Sequence, residues 1–216
     1  MGRLVRLVLA LAVLGCGSGP QPGAPSAGVV AQVMDGDTVI LAEGQKVRLL
    51  GIDAPEMAKE GRPAEFMAHR ARQELADLIQ GQTVRLEYDR LRYDQYGRLL
   101  AYLYLPEVGM VNMEMVRRGV ARVYLTPPNL GARQELVAAQ REAMQERRGL
   151  WRQELRQDEE YYWANGATYR FHRPSCQLAQ KISAAHRLRL ASLWAAYSEG
   201  FSPCRSCRPH EFRGKD

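Results

Sequence analysis

The chain has no apolar run long enough for an ordinary membrane span. Its one pronounced run, LVLALAVLG at 7–15, falls well short of the roughly 20 residues such a span needs. No internal repeat is visible, which sets aside repeat architectures. Cysteine is scarce, at four residues, and one of the four, Cys16, directly follows that apolar run. A large charge of one sign is also missing from most of the chain. Residues 29–160 hold 19 Lys/Arg against 21 Asp/Glu, a net of −2, whereas residues 161–216 hold nine against three, a net of +6; Arg3 and Arg6 complete the count. Bulk attraction for a polyanion therefore comes from the C-terminal tail and not from the larger part. What is present is ordinary for a folded protein. A composition of 46% hydrophobic and 25% charged residues excludes wholesale disorder, and 216 residues give room for one medium domain with a small appendage.

Residues 1–16, MGRLVRLVLALAVLGC, have a basic start (Arg3, Arg6), a short apolar run and Gly15-Cys16, the layout of a secretory signal. Val13-Leu14-Gly15-Cys16 resembles a bacterial lipobox, in which Cys16 is lipidated and becomes the mature N-terminus. Leu14 is not the commonest residue there, so cleavage to a soluble secreted form stays open. A buried N-terminal helix fits poorly with the breakers that follow. Residues 17–28, GSGPQPGAPSAG, read as a Gly/Pro/Ser tether with nothing to bury. Together these segments imply a protein held at the membrane of the cell envelope through an N-terminal lipid.

From Val29 the pattern is strand-like. Three short apolar runs are broken at Asp35-Gly36-Asp37 and Glu43-Gly44-Gln45, which reads as two hairpin turns. Leu49, Leu50 and Ile52 read as a buried strand ended by the turn Asp53-Ala54-Pro55, because Pro55 biases Ala54 away from helix. PAEFMAHRARQELADLIQG spaces Phe66, Ala71, Leu75 and Leu78 as one helix face, with Pro63 near its start and Gly81 past its end. Strands around 84–88 and 99–105 follow, then a helix near 112–117, a short strand near 121–124 and a long helix over about 132–147. Some five strands and two or three helices predict an α+β fold, compatible with a small Greek-key barrel carrying helices.

Three segments of this region meet on chemistry. DGDT brings Asp35 and Asp37, RLLGIDAPE brings Arg48, Asp53 and Glu56, and YDQYGR brings Asp94, Tyr96 and Arg98. Two aspartates and a loop carbonyl make an oxygen-ligand site suited to Ca²⁺. A glutamate beside such a site can take a proton from water. Two arginines on one phosphate can neutralise the charge that builds on its oxygens in the transition state. Each signal alone is weak, since DGD is more often an ordinary turn; in combination they are the parts of a phosphodiester hydrolase.

The order DGDT, VRLLGIDAPE, DQYGRLLAYLY, VNMEMVRRGVARVY and RRGLW resembles the staphylococcal nuclease (thermonuclease) family over about Val29 to Trp151. The resemblance implies a five-stranded OB-fold barrel with three helices, and a Ca²⁺-dependent nuclease acting on DNA and RNA that leaves 3′-phosphate ends. Carried over by position, it makes Asp37 and Asp53 the calcium carboxylates, the Ala54 carbonyl a third ligand and Asp35 an outer acid. Glu56 becomes the base and Arg48 and Arg98 the phosphate clamps. Tyr96 packs on the nucleotide, and so does Tyr124, around which the correspondence slips by about one residue. Some members of the superfamily keep the barrel, lose the acids and serve as binding modules; here every such position is filled.

The tail carries a second constellation. His172, Cys176, Cys204 and Cys207 are spaced H-x3-C-x27-C-x2-C, and a Cys₃His set suits a closed structural Zn²⁺ site. A disulfide is the competing reading outside the cytoplasm, but if Cys16 takes a lipid, three cysteines remain and one would stay unpaired. His186 and His210 compete for the fourth ligand position. RPSC and EGFSPCRSCRP, within about Tyr169 to Pro209, also resemble the zinc domain of adaptive-response DNA-repair methyltransferases. That domain has its methyl-accepting cysteine where this chain has His172, so methyl transfer is not implied. LASLWAAYSEG predicts a helix capped near Ser192 and ended by Gly200.

The resulting expectation is a monomeric, lipid-anchored nuclease. Residues 1–16 form the signal, 17–28 a tether, 29–152 the nuclease-like barrel, 153–160 a charged spacer or helical continuation, and 161–216 a zinc module. The module's arginines (Arg170, Arg173, Arg187, Arg189, Arg205, Arg208) could hold phosphates or form only a solvated surface; as a docking module it would leave turnover nearly intact when deleted. The rival reading is a non-catalytic nucleic-acid-binding lipoprotein.

Overall fold

A computed structural model describes residues 23–210 and 212. The expected signal, the lipidation site Cys16 and the first half of the tether lie outside the described residues. The second half of that tether is tied down. Leu86 N–H donates to the Ser26 carbonyl at 2.8 Å, the Tyr88 hydroxyl donates to the Pro25 carbonyl at 2.5 Å, and the first strand starts at Ala27, ahead of the expected boundary.

The larger part runs β1 (Ala27–Val33), β2 (Thr38–Leu41), β3 (Lys46–Leu49), β4 (Ile52–Asp53), α1 (Ala68–Ile79), β5 (Thr83–Glu87), β6 (Leu99–Leu105), β7 (Gly109–Met110), α2 (Val111–Arg117), β8 (Arg122–Val123) and α3 (Arg133–Gln145). Five strands in the order β3-β2-β1-β5-β6 close into a barrel where β3 meets β6 in parallel, Val47 opposite Leu99 and Leu49 opposite Ala101. Alternation drives it: Val30, Val39, Leu41, Val47, Leu49, Val84 and Leu103 are all buried, as a half-buried period-2 pattern requires. The helix α1 buries Ala68, Ala71, Leu75 and Ile79. Phe66 falls before its first turn, and Ile79 takes the inward position expected of Leu78. Pro63 therefore stands outside the helix.

The run at 49–52, expected as one strand, is broken. Gly51 has a φ of +75°, a conformation that costs glycine little, and β4 leaves the barrel to pair with β8. The break is held by buried Asn112, whose Nδ2 donates to the Leu50 carbonyl at 2.8 Å and whose Oδ1 accepts from Leu103 N–H at 2.9 Å. The turn before β2 is held by close packing. A Cβ on Gly36 would lie 2.5 Å from the Ala54 Cβ and 2.7 Å from the Ala71 Cβ, so glycine lets the aspartate turn wedge between the β4 end and α1.

After a 3₁₀ turn at Gly149–Arg152, residues 153–160 form no helix. The tail then forms β9 (Tyr162–Asn165), β10 (Arg170–His172), α4 (Gln177–Gln180), β11 (Arg187–Leu190), α5 (Leu193–Ser198) and β12 (Ser202–Pro203), with sheet order β11-β9-β10-β12. The expected helix is α5, capped by Ser192 Oγ accepting from Ala195 N–H at 3.0 Å.

The tail is not a separable module. Tyr162, Phe171, Leu193 and Tyr197 share one core with Ala143 and Met144 of α3 and with Trp151. Buried Gln140 of α3 accepts from Val123 N–H at 2.7 Å and donates to the Tyr197 carbonyl at 2.5 Å. Ser202 Oγ donates to the Val123 carbonyl at 3.0 Å. These shared contacts run against the expectation that residues 161–216 can be removed with turnover nearly intact. Their loss would uncover Met144 and Trp151 and strand the Gln140 amide, about 1–3 kcal/mol for that polar group alone if it stayed buried.

Candidate active site

Strand register assembles the site. The pairing of β2 with β3 sets Arg48 opposite Thr38, the residue after Asp37, and the pairing of β4 with β8 sets Asp53 opposite Arg122. The Arg48 Nη2 lies 3.0 Å from Asp37 Oδ2 and 3.6 Å from Asp53 Oδ1, while its Nη1 donates to the Leu49 carbonyl at 2.7 Å. Ala54 N–H donates to Asp37 Oδ2 at 2.8 Å, and Thr38 Oγ1 donates to Asp37 Oδ1 at 3.0 Å. Asp35 accepts from Asp37 N–H at 3.0 Å. Asp35, Asp37, Arg48, Asp53 and Ala54 are thus brought together.

Three arginines from three parts of the chain surround Asp53. Arg122 donates to Oδ2 through Nη2 at 2.7 Å and Nε at 3.1 Å, and Arg48 and Arg205 each come within 3.6 Å of Oδ1. Burial is the largest influence on this carboxyl and pushes its pKa up, but Arg122, Arg48 and Arg205 together hold it below the usual carboxylate range. Asp37 ends on the other side. Burial, with Asp35 and Asp53 adding to it, raises its pKa to about 7 against the pull of Arg48 and the Ala54 N–H. Two neighbouring carboxylates are thereby driven apart in proton affinity.

The remaining expected residues lie around this cluster. Glu56 is 49% exposed and ion-paired with Lys59 at 2.5 Å. It shares with Asp53 the wall of a cleft of about 790 Å³ that Lys59, Arg62, Arg122 and Tyr124 also line. Arg98 belongs to the Asp94–Arg98 turn, where its Nε donates to Asp94 at 2.7 Å and its guanidinium lies 5.7 Å from the centre of the 75% exposed Tyr96 ring. Among the described residues, no ion pair links Arg98 to Asp37, Asp53 or Glu56. The Tyr124 ring carries the Arg170 guanidinium 3.7 Å from its centre, so a base stacking on that face must displace it.

A model of the staphylococcal nuclease homologue family matches residues 46–153. The chain belongs to this family. It is 37% identical over 126 residues to the thermonuclease of Staphylococcus intermedius, covering 57% of this chain and 74% of that protein. It is 38% identical over 128 residues to an uncharacterized endonuclease of Escherichia coli, covering 57% and 76%. To the endonuclease YncB of Bacillus subtilis it is 31% identical over 125 residues, covering 56% and 59%. The tail beyond residue 153 lies outside the family match.

Two sets of residues in this family member fit a metal. Asp37 and Asp53 offer hard anionic oxygens side by side, and burial raises the Asp37 pKa despite Arg48 beside it. That donor set fits a calcium-type ion. In the tail, one ligand atom from each of His172, Cys176, Cys204 and Cys207 lies within 4.8 Å of the others, while His186 and His210 are outside the group. The three thiols are unbridged. Burial pushes Cys207 up to about 12, with its sulfur neighbours contributing, which a cation bound to thiolates would reverse. Soft sulfur with one imidazole fits zinc.

Reasoning from the sequence missed Arg122 and Arg205 as partners of Asp53. Arg122 stood in the quoted VARVY segment, but nothing there reveals its register against β4.

Because Asp37 has a higher pKa folded than in an unfolded chain, the folded state binds the extra proton between about pH 4 and 7, and stability falls as pH rises through that window. Asp37→Asn should raise the melting temperature of calcium-free protein at pH 8 by roughly 2–6 °C. The gain should vanish near pH 4. An unchanged melting temperature at pH 8 would show that Asp37 is well compensated without a cation.

Proposed function

We propose that this chain is a calcium-dependent nuclease that hydrolyses phosphodiester bonds of DNA and RNA, leaves 3′-phosphate ends, and is held at the cell envelope by a lipid on Cys16. The observation that carries the catalytic part is the buried Asp37–Arg48–Asp53 cluster beside a cleft that Glu56 also lines. Membership of a family whose relatives are named thermonuclease and endonuclease supports it.

Asp37, Asp53 and the Ala54 carbonyl would hold the calcium ion, with Asp35 outside them. The ion supplies positive charge beside the phosphate and the attacking water. Glu56, open to the solvent of the cleft, takes a proton from that water as its oxygen bonds to phosphorus. The bond from phosphorus to the 5′ oxygen breaks, and that oxygen takes a proton from solvent water in the cleft, leaving a 5′-hydroxyl and a 3′-phosphate. Arg48 is already fixed by Leu49 and the two aspartates, so its guanidinium needs little reorganisation to meet phosphate oxygens. Arg98, oriented through Nε by Asp94, is the second clamp, and Tyr96 and Tyr124 contact the nucleotide. His172, Cys176, Cys204 and Cys207 hold a structural zinc ion.

Purified protein should digest single-stranded DNA with calcium and not in calcium-depleted buffer. Glu56→Gln should lower turnover by about 10²–10⁴-fold with a much smaller change in substrate affinity. Full activity without calcium overturns the cofactor assignment, and DNA binding without any cleavage favours a binding lipoprotein instead.

Anaerobically purified protein should carry stoichiometric zinc, which Cys207→Ser should largely remove. Zinc-free wild-type protein with its thiols intact would refute that site. For the anchor, cells fed a labelled fatty acid should yield labelled protein that Cys16→Ser leaves unlabelled. Unlabelled wild-type protein in the culture medium points to simple secretion.

A further inference from the structure

The cleft that Asp53 and Glu56 line on one side is closed on the other by the tail, through Cys204, Arg205 and Arg208. Arg205 lies between two thiols of the Cys₃His cluster, in a turn whose backbone is pinned. Cys204 N–H donates to the Phe171 carbonyl at 2.9 Å, and Arg208 N–H donates to the Cys204 carbonyl at 2.9 Å. A fixed backbone thus presents a side chain that is 74% exposed.

We propose that Arg205 is a substrate-phosphate ligand of this cleft, holding a phosphodiester that flanks the one being cut. The inference rests on the nuclease reading and adds to it a residue outside the segment matched by the family.

The three arginines around Asp53 differ in what they are free to do. Arg122 grips Oδ2 with two hydrogen bonds, and its side chain is 21% exposed. Arg48 is 15% exposed and fixed on Asp37 and the Leu49 carbonyl, which confines it to the phosphate being cut. Arg205 reaches Oδ1 only at 3.6 Å, too long for a good hydrogen bond, whereas Arg122 gives Asp53 two. Its charge is therefore available to an incoming anion. The Arg205 guanidinium also lies 5.4 Å from the centre of the Tyr124 ring, so it sits where the nucleotide-contacting tyrosine meets the tail. A planar fork of N–H donors in a cleft shared with a general base matches phosphodiester oxygens better than a carboxylate it cannot approach closely.

The test uses Arg205→Ala and Arg205→Lys in the full chain, with steady-state hydrolysis of a short oligothymidylate. A second arm measures anisotropy binding of fluorescein-labelled oligothymidylate at several salt concentrations, each variant being combined with Glu56→Gln. Arg205→Ala should raise KM and Kd about 10-fold, the scale of one charge-assisted contact. It should keep kcat within about 3-fold and make the logarithmic salt slope shallower by roughly 1. Arg205→Lys should restore the slope and part of the affinity. Zinc content and melting temperature should match the wild type; a loss of affinity that comes with a loss of either is damage to the turn and overturns the assignment. Unchanged Kd, KM and salt slope also overturn it. So does a tighter calcium midpoint with unchanged DNA affinity, which would make Arg205 a competitor for Asp53. If the parent protein binds but cuts nothing, the nuclease reading alone fails, and the binding arm still decides the role of Arg205.

Discussion

The arrangement turns on one buried carboxylate. Asp53 is removed from water, and an uncompensated charge there would cost several kcal/mol. The chain compensates it with guanidinium groups from β3, from β8 and from the tail. Each of those contacts presupposes a piece of architecture: the closure of β3 on β6, the two-residue pairing of β4 with β8, and the seating of the tail on α3. Losing the contact from β3 or β8 would leave Asp53 short of a partner, and the tail adds a third contact through Arg205, so the carboxylate couples three regions distant in sequence. Asp37 is the counterpart, a buried acid that the protein declines to neutralise fully. One acid fixed as an anion and one left wanting a cation is an asymmetry expected of a functional site.

Most of the barrel was legible because its strands alternate cleanly and its turns carry glycine and aspartate. The helix faces were legible by their spacing, to within a residue or two. The break at Gly51 was not, since Leu49, Leu50 and Ile52 make a continuous apolar run and only the buried Asn112 amide shows why the backbone turns there. Within the site, Asp37, Arg48 and Asp53 stand on neighbouring turns and strands, so a resemblance in order was enough to group them. Arg122 and Arg205 reach the same carboxylate through long-range register and tertiary docking, which no local pattern encodes. Arg98 is the converse case: its place in the chain marks it, while the structure ties it to Asp94 and leaves its approach to the phosphate to a bound substrate.

The packing of the tail on α3 was not legible in the sequence for a physical reason. A segment of some fifty residues has little core of its own, and metal binding is one remedy. This tail uses a second remedy as well, borrowing Met144 and Trp151 as the floor beneath Tyr162, Phe171 and Tyr197. Its strands are only two to four residues long, too short to display a period, and their aromatic residues read equally well as an independent cluster. The buried Gln140 makes the junction specific, because its amide is satisfied only when β8 and the end of α5 are both in place. Where the zinc-type ligands sit and where the cleft ends are consequently one structural question.

Charge completes the logic. Asp35, Asp37 and Asp53 cluster with Arg48, Arg122 and Arg205 beside the cleft, so these six groups carry no surplus of either sign when all are ionised. The larger part of the chain is itself slightly acidic, by two charges over residues 29–160, and offers a polyanion no general welcome. A divalent cation held by the aspartates, as proposed, would turn the balance of this cluster positive and weaken the hold of Asp53 on its outermost arginine. Attraction for phosphate would then strengthen at the place where the proposed reacting groups stand. A neutral cluster that becomes cationic on loading would select anionic substrate at the reactive centre and lessen its retention elsewhere on the barrel.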